Sequence, residues 1–275
     1  MRRILLALLY FLGAAVTLAF LALPLLAIFV HVSPGRLVDQ LSNPVVTDAL
    51  IVSLKTTLIA QALILLFGTP TAYLLASRRF PGRAACITLV ELPLVLPPAV
   101  AGIGLLAAFG RFGLLGSTLG LAGITLPFTQ AAVTIAVAFV ASPLYIRQAI
   151  AAFEAIDPDL VAASRTLGAG PARTFFRIVL PMARGGLAAG EALAFARGLG
   201  EFGATIMFAG SLQHVTQTLP LAIYAEFEVN FDVTLAISAL LVLISAALLL
   251  SLKLTLLWQP SEQTSRSRFA LSSWS

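Results

Sequence analysis

Three charged residues, Glu191, Arg197 and Glu201, stand inside the apolar run Gly185 to Gly210, GGLAAGEALAFARGLGEFGATIMFAG. On insertion scales each charge costs about 2.5 to 3.5 kcal/mol at a bilayer centre, so each needs a partner or water. Arg197 and Glu201 are four residues apart and share a helix face. Two readings are open at this point: a self-satisfying ion pair, or a face that lines a translocation route. Other chemistry is scarce. A phosphate-cradling loop needs Gly-Lys followed by Ser or Thr, and Lys55 and Lys253 both follow leucine. His31 and His214 cannot form an H-E-x-x-H zinc helix, and neither sits in a nucleophile constellation. Cys86 is the single cysteine, which excludes an internal disulfide and offers no metal cluster. The inventory points to no catalytic residue, no cofactor and no metal.

The elements that must position those charges are membrane spans. A chain of 275 residues that is 59% hydrophobic and 11% charged, with a mean hydropathy of +1.00, is an all-α polytopic membrane protein. The pI near 10.0 does not point to nucleic acid, because the basic residues are scattered between apolar blocks. Six spans of sufficient length are expected at about Ile4 to Val30, Ala49 to Ala76, Ala84 to Phe109, Pro127 to Ala151, Gly186 to Ala209 and Val233 to Trp258. The first reads as a retained anchor rather than a cleaved signal peptide. Arg78, Arg79 and Arg83, then Arg165, Arg173, Arg177 and Arg184, then Arg266 and Arg268 occupy alternate connections and the tail. The positive-inside rule therefore places these connections and both termini in the cytoplasm. One domain, 1–275, is expected, with a cytoplasmic loop at 153–184 and a polar tail at 259–275.

Local irregularities mark further candidates. Gly68-Thr69-Pro70 should kink the second span, which also carries Lys55 and Gln61. The third span holds Pro93, Pro97 and Pro98 beside Glu91, followed by Gly102 and Gly104. Irregular backbone at membrane depth either lines a wet cavity or is a plain packing kink. Arg111 to Leu126 is expected to include a short surface helix at the outer face. Gly186 and Gly190 have small-xxx-small spacing for helix packing. The segment after Gly210 reads as external, with His214 a surface histidine. Trp258 reads as an aromatic anchor at the inner interface.

The stretch Asp157 to Pro181, DPDLVAASRTLGAGPARTFFRIVLP, does not behave as a span. Asp157 can cap a helix with Pro158 at its first position, Gly168-Ala169-Gly170 ends that helix, and Pro171 opens a second. Two short helices joined by a glycine turn are expected. Leu160, Ala163 and Leu167 share a face of the first, while Phe175, Phe176 and Val179 leave Arg173 and Arg177 free on the second. Such a knob on the cytoplasmic side suits a partner.

Ala162-Ala163-Ser164 with Gly168, Ile178, Leu180 and Pro181 resembles the EAA loop, E-A-A-x3-G-x9-I-x-L-P, of the membrane subunits of bacterial ABC importers. Ala162 stands where that family often has glutamate and Ser164 where it has alanine. Ala162 removes the carboxylate of the first motif position, while the helix-turn-helix shape is kept. Within the family, AFARGLGEFGATIMFAG and TQTLPLAIY resemble the molybdate permeases, with sulfate and tungstate permeases as near relatives. The resemblance implies an inner-membrane homodimer with two cytoplasmic ATP-binding subunits and an external binding protein that delivers the oxyanion. It implies that ATP hydrolysis is on a separate subunit. It assigns ATPase coupling to Asp157, Ala162, Ala163, Ser164, Arg165, Gly168, Ala169, Pro171, Phe175, Ile178, Leu180 and Pro181. Pathway or gate roles are expected for Pro97, Pro98, Arg197, Glu201, Gly203 and Thr205, with Glu201 paired to Arg197 and bracing the gate. An ion-coupled secondary transporter using Glu191, Arg197 and Glu201 as a relay is the competing reading, and a membrane-embedded enzyme a distant third.

Overall fold

Helices that are apolar on every side must be wetted by lipid or by one another. The computed structural model describes residues 2–31 and 34–257, and these are helical throughout apart from short connections. Trp258 and the tail 259–275, with Arg266 and Arg268, lie outside the described residues, as do the side chains of Arg2, Arg3 and Arg36.

α1 (Arg2–His31) lies at the edge of the bundle beside the last helix, and none of its most apolar window is buried within the chain. The short α2 (Pro34–Gln40) leads to α3 (Pro44–Leu63), capped by Asn43, whose Oδ1 accepts the Val45 N–H at 3.0 Å. A π turn, Ile64–Gly68, joins α3 to α4 (Thr69–Ser77). Pro70 lacks an N–H and crowds the carbonyl four residues back, and the extra residue of the π turn absorbs the misfit without ending the helix. The expected kink at Gly68-Thr69-Pro70 thus takes the form of a bulge inside one span, Pro44–Ser77.

The third span is broken. α5 (Arg83–Val95) and α6 (Pro98–Phe109) are bent by 116° across Leu96 and Pro97. Pro97 and Pro98 push the residues before them out of the α region, so the chain turns instead of continuing. After α7 (Gly116–Leu121), α8 (Gln130–Glu154) is the axis on which the others pack. The knob follows as α9 (Pro158–Thr166) and α10 (Pro171–Thr174), then a second π turn, Phe175–Val179, and α11 (Leu180–Leu199).

Here the structure corrects two expectations. The knob's second helix is not a separate short helix, because Pro171–Leu199 forms one continuous span of 29 residues. That span also begins well before Gly186, and it stops at Leu199 instead of reaching Ala209. Pro181 is accommodated as Pro70 is, by a π turn immediately upstream, with the Leu180 N–H reaching back to the Phe175 carbonyl. Gly186 and Gly190 pack against α8, where a Cβ would fall 2.5 Å from Ala152 Cβ and 2.9 Å from Gln148 Cβ respectively.

After α12 (Gly203–Ala209) the chain returns through α13 (Leu219–Glu226) to α14 (Phe231–Leu257). The segment expected to be external is partly buried within the bundle: Thr216, Gln217, Thr218 and Leu219 are covered, and α13 packs on α3 and α14. Its backbone is satisfied there by Ser53, whose Oγ accepts the Leu219 N–H at 2.7 Å. Five helical stretches are long and apolar enough to cross a bilayer, and the broken pair α5/α6 makes the sixth.

Candidate functional site

Two regions carry the candidate residues. On the cytoplasmic side, Asp157 caps α9 through Oδ1, which accepts the Asp159 N–H at 3.0 Å. At the other end Gly168 takes φ +81°, a left-handed turn that a side chain resists, and the Ala169 N–H bonds back to the Ser164 carbonyl at 3.1 Å. Ser164 is 6% exposed, and its hydroxyl meets the Thr174 hydroxyl at 2.9 Å, clasping α9 to α10. Phe175 roots the second helix against Tyr73 of α4 and Phe153 of α8, with ring centroids at 4.8 and 6.3 Å. The apolar face of α9 looks outward instead of into the bundle: Ala163 is exposed, Leu160 is 44% exposed and Leu167 88%. Ala162, Arg165, Pro171 and Pro181 are exposed as well, while Ile178 and Leu180 are half-buried.

The second region is the meeting of two helix breaks. α11 ends at Leu199, Gly200 to Phe202 are not helical, and α12 starts at Gly203. Glu201, 2% exposed, bridges the gap: its Oε1 accepts the Ala204 N–H at 2.8 Å, and its Oε2 lies 2.7 Å from Nη1 of Arg197. The carboxylate thus caps α12 and grips the last turn of α11. Opposite it is the other break, since a Cβ on Gly203 would fall 2.6 Å from Pro98 Cβ. α6 and α12 then run together, Gly102 against the backbone of Ala204 and Phe109 beside Phe208 at 6.4 Å between ring centroids.

Of the six sequence-nominated gate residues, the structure brings Pro98, Arg197, Glu201 and Gly203 to this junction. Pro97 is exposed at the bend, and Arg197 keeps a third of its side chain accessible. Thr205 instead lies fully buried, its hydroxyl without a hydrogen-bond partner among the described residues. Glu191 stands apart from the pair, half-buried on α11. His214 is not isolated: its Nδ1 lies 2.7 Å from Asp48 Oδ2.

Sequence reasoning noted Gln61 but missed that it continues a polar stripe with Ser53 and Thr57, all buried on α3. It runs from Leu219 at Ser53 to the α11 end, where a Cβ on Gly198 would fall 3.5 Å from Gln61 Nε2. Neither amide atom of Gln61 has a hydrogen-bond partner among the described residues. The four-residue spacing was the available signal.

A bundle of membrane spans in which one span, α5/α6, is discontinuous and its bend meets the end of a second span, with an exposed helical knob on the cytoplasmic side, has the architecture of a membrane transport component. Residues 65–259 match the family described as the binding-protein-dependent transport system inner membrane component, and the chain belongs to that family, the permeases of ABC importers. It is a multi-pass inner membrane protein. It is 42% identical over 240 residues to the molybdenum transport system permease protein ModB of Mycobacterium bovis, covering 87% of this chain and 91% of that one. It is 35% identical to the sulfate transport system permease protein CysT of Salmonella typhimurium, with 84% of each covered. A crystal structure of a bacterial alginate ABC transporter in complex with an alginate pentasaccharide-bound periplasmic protein shares the fold, with a TM-score of 0.65 and 18% identity over 90% of this chain and 92% of that one.

Proposed function

We propose that the chain is the translocating subunit of an ATP-driven importer of a tetrahedral oxyanion, molybdate first, acting as a homodimer. Two cytoplasmic ATP-binding subunits dock on the exposed face of α9 and carry all of the ATP hydrolysis. An external binding protein delivers the anion. The whole chain works as one domain, with 153–184 as its coupling loop. The relatives that transport molybdenum and sulfate support the oxyanion class, and sulfate and tungstate are the runner-up cargoes.

The observation that carries this reading is a continuous mechanical path. α9 is clasped to α10 by Ser164 and Thr174, α10 runs without interruption to Leu199, and Arg197 and Glu201 tie that end to α12 against Pro98. Movement of the ATPase pair at α9 shifts this rod and opens or closes the junction between its inner end and the broken α5/α6 span. Glu201, held by two partners, braces the junction and does not meet the anion, because a free carboxylate would repel it. The partly accessible Arg197 supplies the complementary charge.

The test is Leu167→Asp, which puts a charge on the exposed apolar residue that ends α9. The ATP-binding subunit should no longer co-purify, and labelled molybdate uptake into proteoliposomes supplied with the binding protein should fall at least tenfold. Undiminished uptake would sink the docking assignment. Competition by excess sulfate and tungstate in the wild-type assay ranks the three cargoes.

A further inference from the structure

On the cytoplasmic side a hollow of about 660 Å³ opens between the end of α4, the end of α8 and α9. Arg79, Arg83 and Arg165 line it with a single carboxylate, Glu154. That carboxylate is already engaged: Arg83 Nη2 donates to Glu154 Oε1 at 2.6 Å, and the same guanidinium donates from Nε to the Leu75 carbonyl at 2.6 Å. Arg79 and Arg165 therefore face the hollow with no acidic partner among the described residues. A second hollow, about 330 Å³, adjoins it and shares Tyr73 and Ser77. It follows one face of α4 from Pro70 through Leu74 to Arg78 and is closed on one side by Phe175. Positive charge at the cytoplasmic boundary thus continues into an apolar groove that descends along a span.

We propose that the two hollows form one site for an anionic phospholipid of the cytoplasmic leaflet. Its phosphate is held in the arginine-lined hollow, and one acyl chain lies along Pro70 and Leu74. Basic pockets between spans on the cytoplasmic side suit such headgroups. The positive-inside rule accounts for the arginines being there, but not for a hollow whose only acid is neutralised from within or for the apolar groove beside it. The bound lipid would fill the space between α4 and α9, so that α9 moves against a seated headgroup instead of open water. This inference stands on the cytoplasmic placement of α9 and is independent of the cargo.

The full chain, purified in the complex it forms in the membrane, is reconstituted in mixed phosphatidylglycerol and phosphatidylcholine, washed in detergent, and its retained lipid counted by mass spectrometry. Arg79→Gln should retain about fivefold less phosphatidylglycerol, the loss expected for one arginine at an anionic surface. Arg79→Lys should restore it, and retained phosphatidylcholine should not change. Ser77→Trp, which fills the shared wall with every arginine in place, should lower retention as well. Wild-type retention in both Arg79→Gln and Ser77→Trp would overturn the proposal. Displacement of the lipid by millimolar inorganic phosphate would also overturn it, marking a site for free anions. Loss of the ATP-binding subunit from Arg79→Gln with retained lipid unchanged would reassign the arginine to a protein partner.

Discussion

At the scale of single residues, Ser164 shows how a departure from a family pattern can be locally consistent. A serine where alanine is usual would leave a buried hydroxyl unsatisfied, but Thr174 lies across the turn at 2.9 Å to meet it. Ser164→Ala alone strands the Thr174 hydroxyl and should destabilise the chain by about 1 to 3 kcal/mol. The double variant with Thr174→Val should recover most of that loss, because both polar partners are then gone. Thermal unfolding of the purified chain in detergent checks the pair, and equal losses in the single and double variants would show that the clasp contributes nothing.

Among the helices, contact between α6 and α12 depends on where glycine sits. A Cβ on Gly102 would fall 2.6 Å from the Ala204 carbonyl oxygen and 2.7 Å from Met207 Cβ, whereas one on Gly104 would meet nothing within 4 Å. Gly102→Ala should therefore cost about 1 to 3 kcal/mol through overpacking and reduce uptake. Gly104→Ala, two residues along the same helix, should be neutral or stabilising by about 0.5 to 1 kcal/mol. Thermal midpoints of the two variants decide the point, and equal shifts would argue against the close crossing.

The elements differ in how far the sequence revealed them. Prolines at Pro93, Pro97 and Pro98 announced an irregular third span; Pro93 sits within α5, while Pro97 and Pro98 make the 116° turn. Asp157-Pro158 and Gly168 likewise marked the bounds of α9, because capping and left-handed turns are decided by a few neighbouring residues. The break at Gly200 was not located, because the apolar pattern continues through it and the stop is enforced by Glu201 bonding across to α12. Pro171 opened the second knob helix as expected, but that helix does not end before the fifth span: it runs on through Pro181, since a π turn can accommodate a proline. No local pattern could show that Pro98 faces Gly203 across about 100 residues, a contact that only the packing on α8 creates. Capping and turn residues located the knob and the resemblance gave it a role, while its outward apolar face and its continuity with the fifth span came from the structure.

For the molecule as a whole, orientation follows from arginine placement and can be tested by chemistry. Cys86 is the single thiol and is exposed, so a Cys86→Ser background is needed first. In that background, Ala162→Cys on α9 should react with an impermeant maleimide only when the cytoplasmic face is opened. Leu121→Cys, at a position 92% exposed at the end of α7, should react on intact cells whose outer membrane has been permeabilised. The reverse pattern would invert the topology.

The span Pro171–Leu199 has a geometric consequence of its own. At 1.5 Å per residue its 29 residues extend about 43 Å, against roughly 30 Å of hydrocarbon. It is therefore longer than the barrier it crosses, and a tilt of about 10° about one end moves the other by about 7 Å, more than one helical turn. The chain carries a lever with unequal surroundings: one end is wet and clasped, and the other is braced by Glu201 in the packed interior. In the importer proposed above, a small angular change at the cytoplasmic end would be amplified into a displacement large enough to exchange one set of contacts at Gly203 and Pro98 for another.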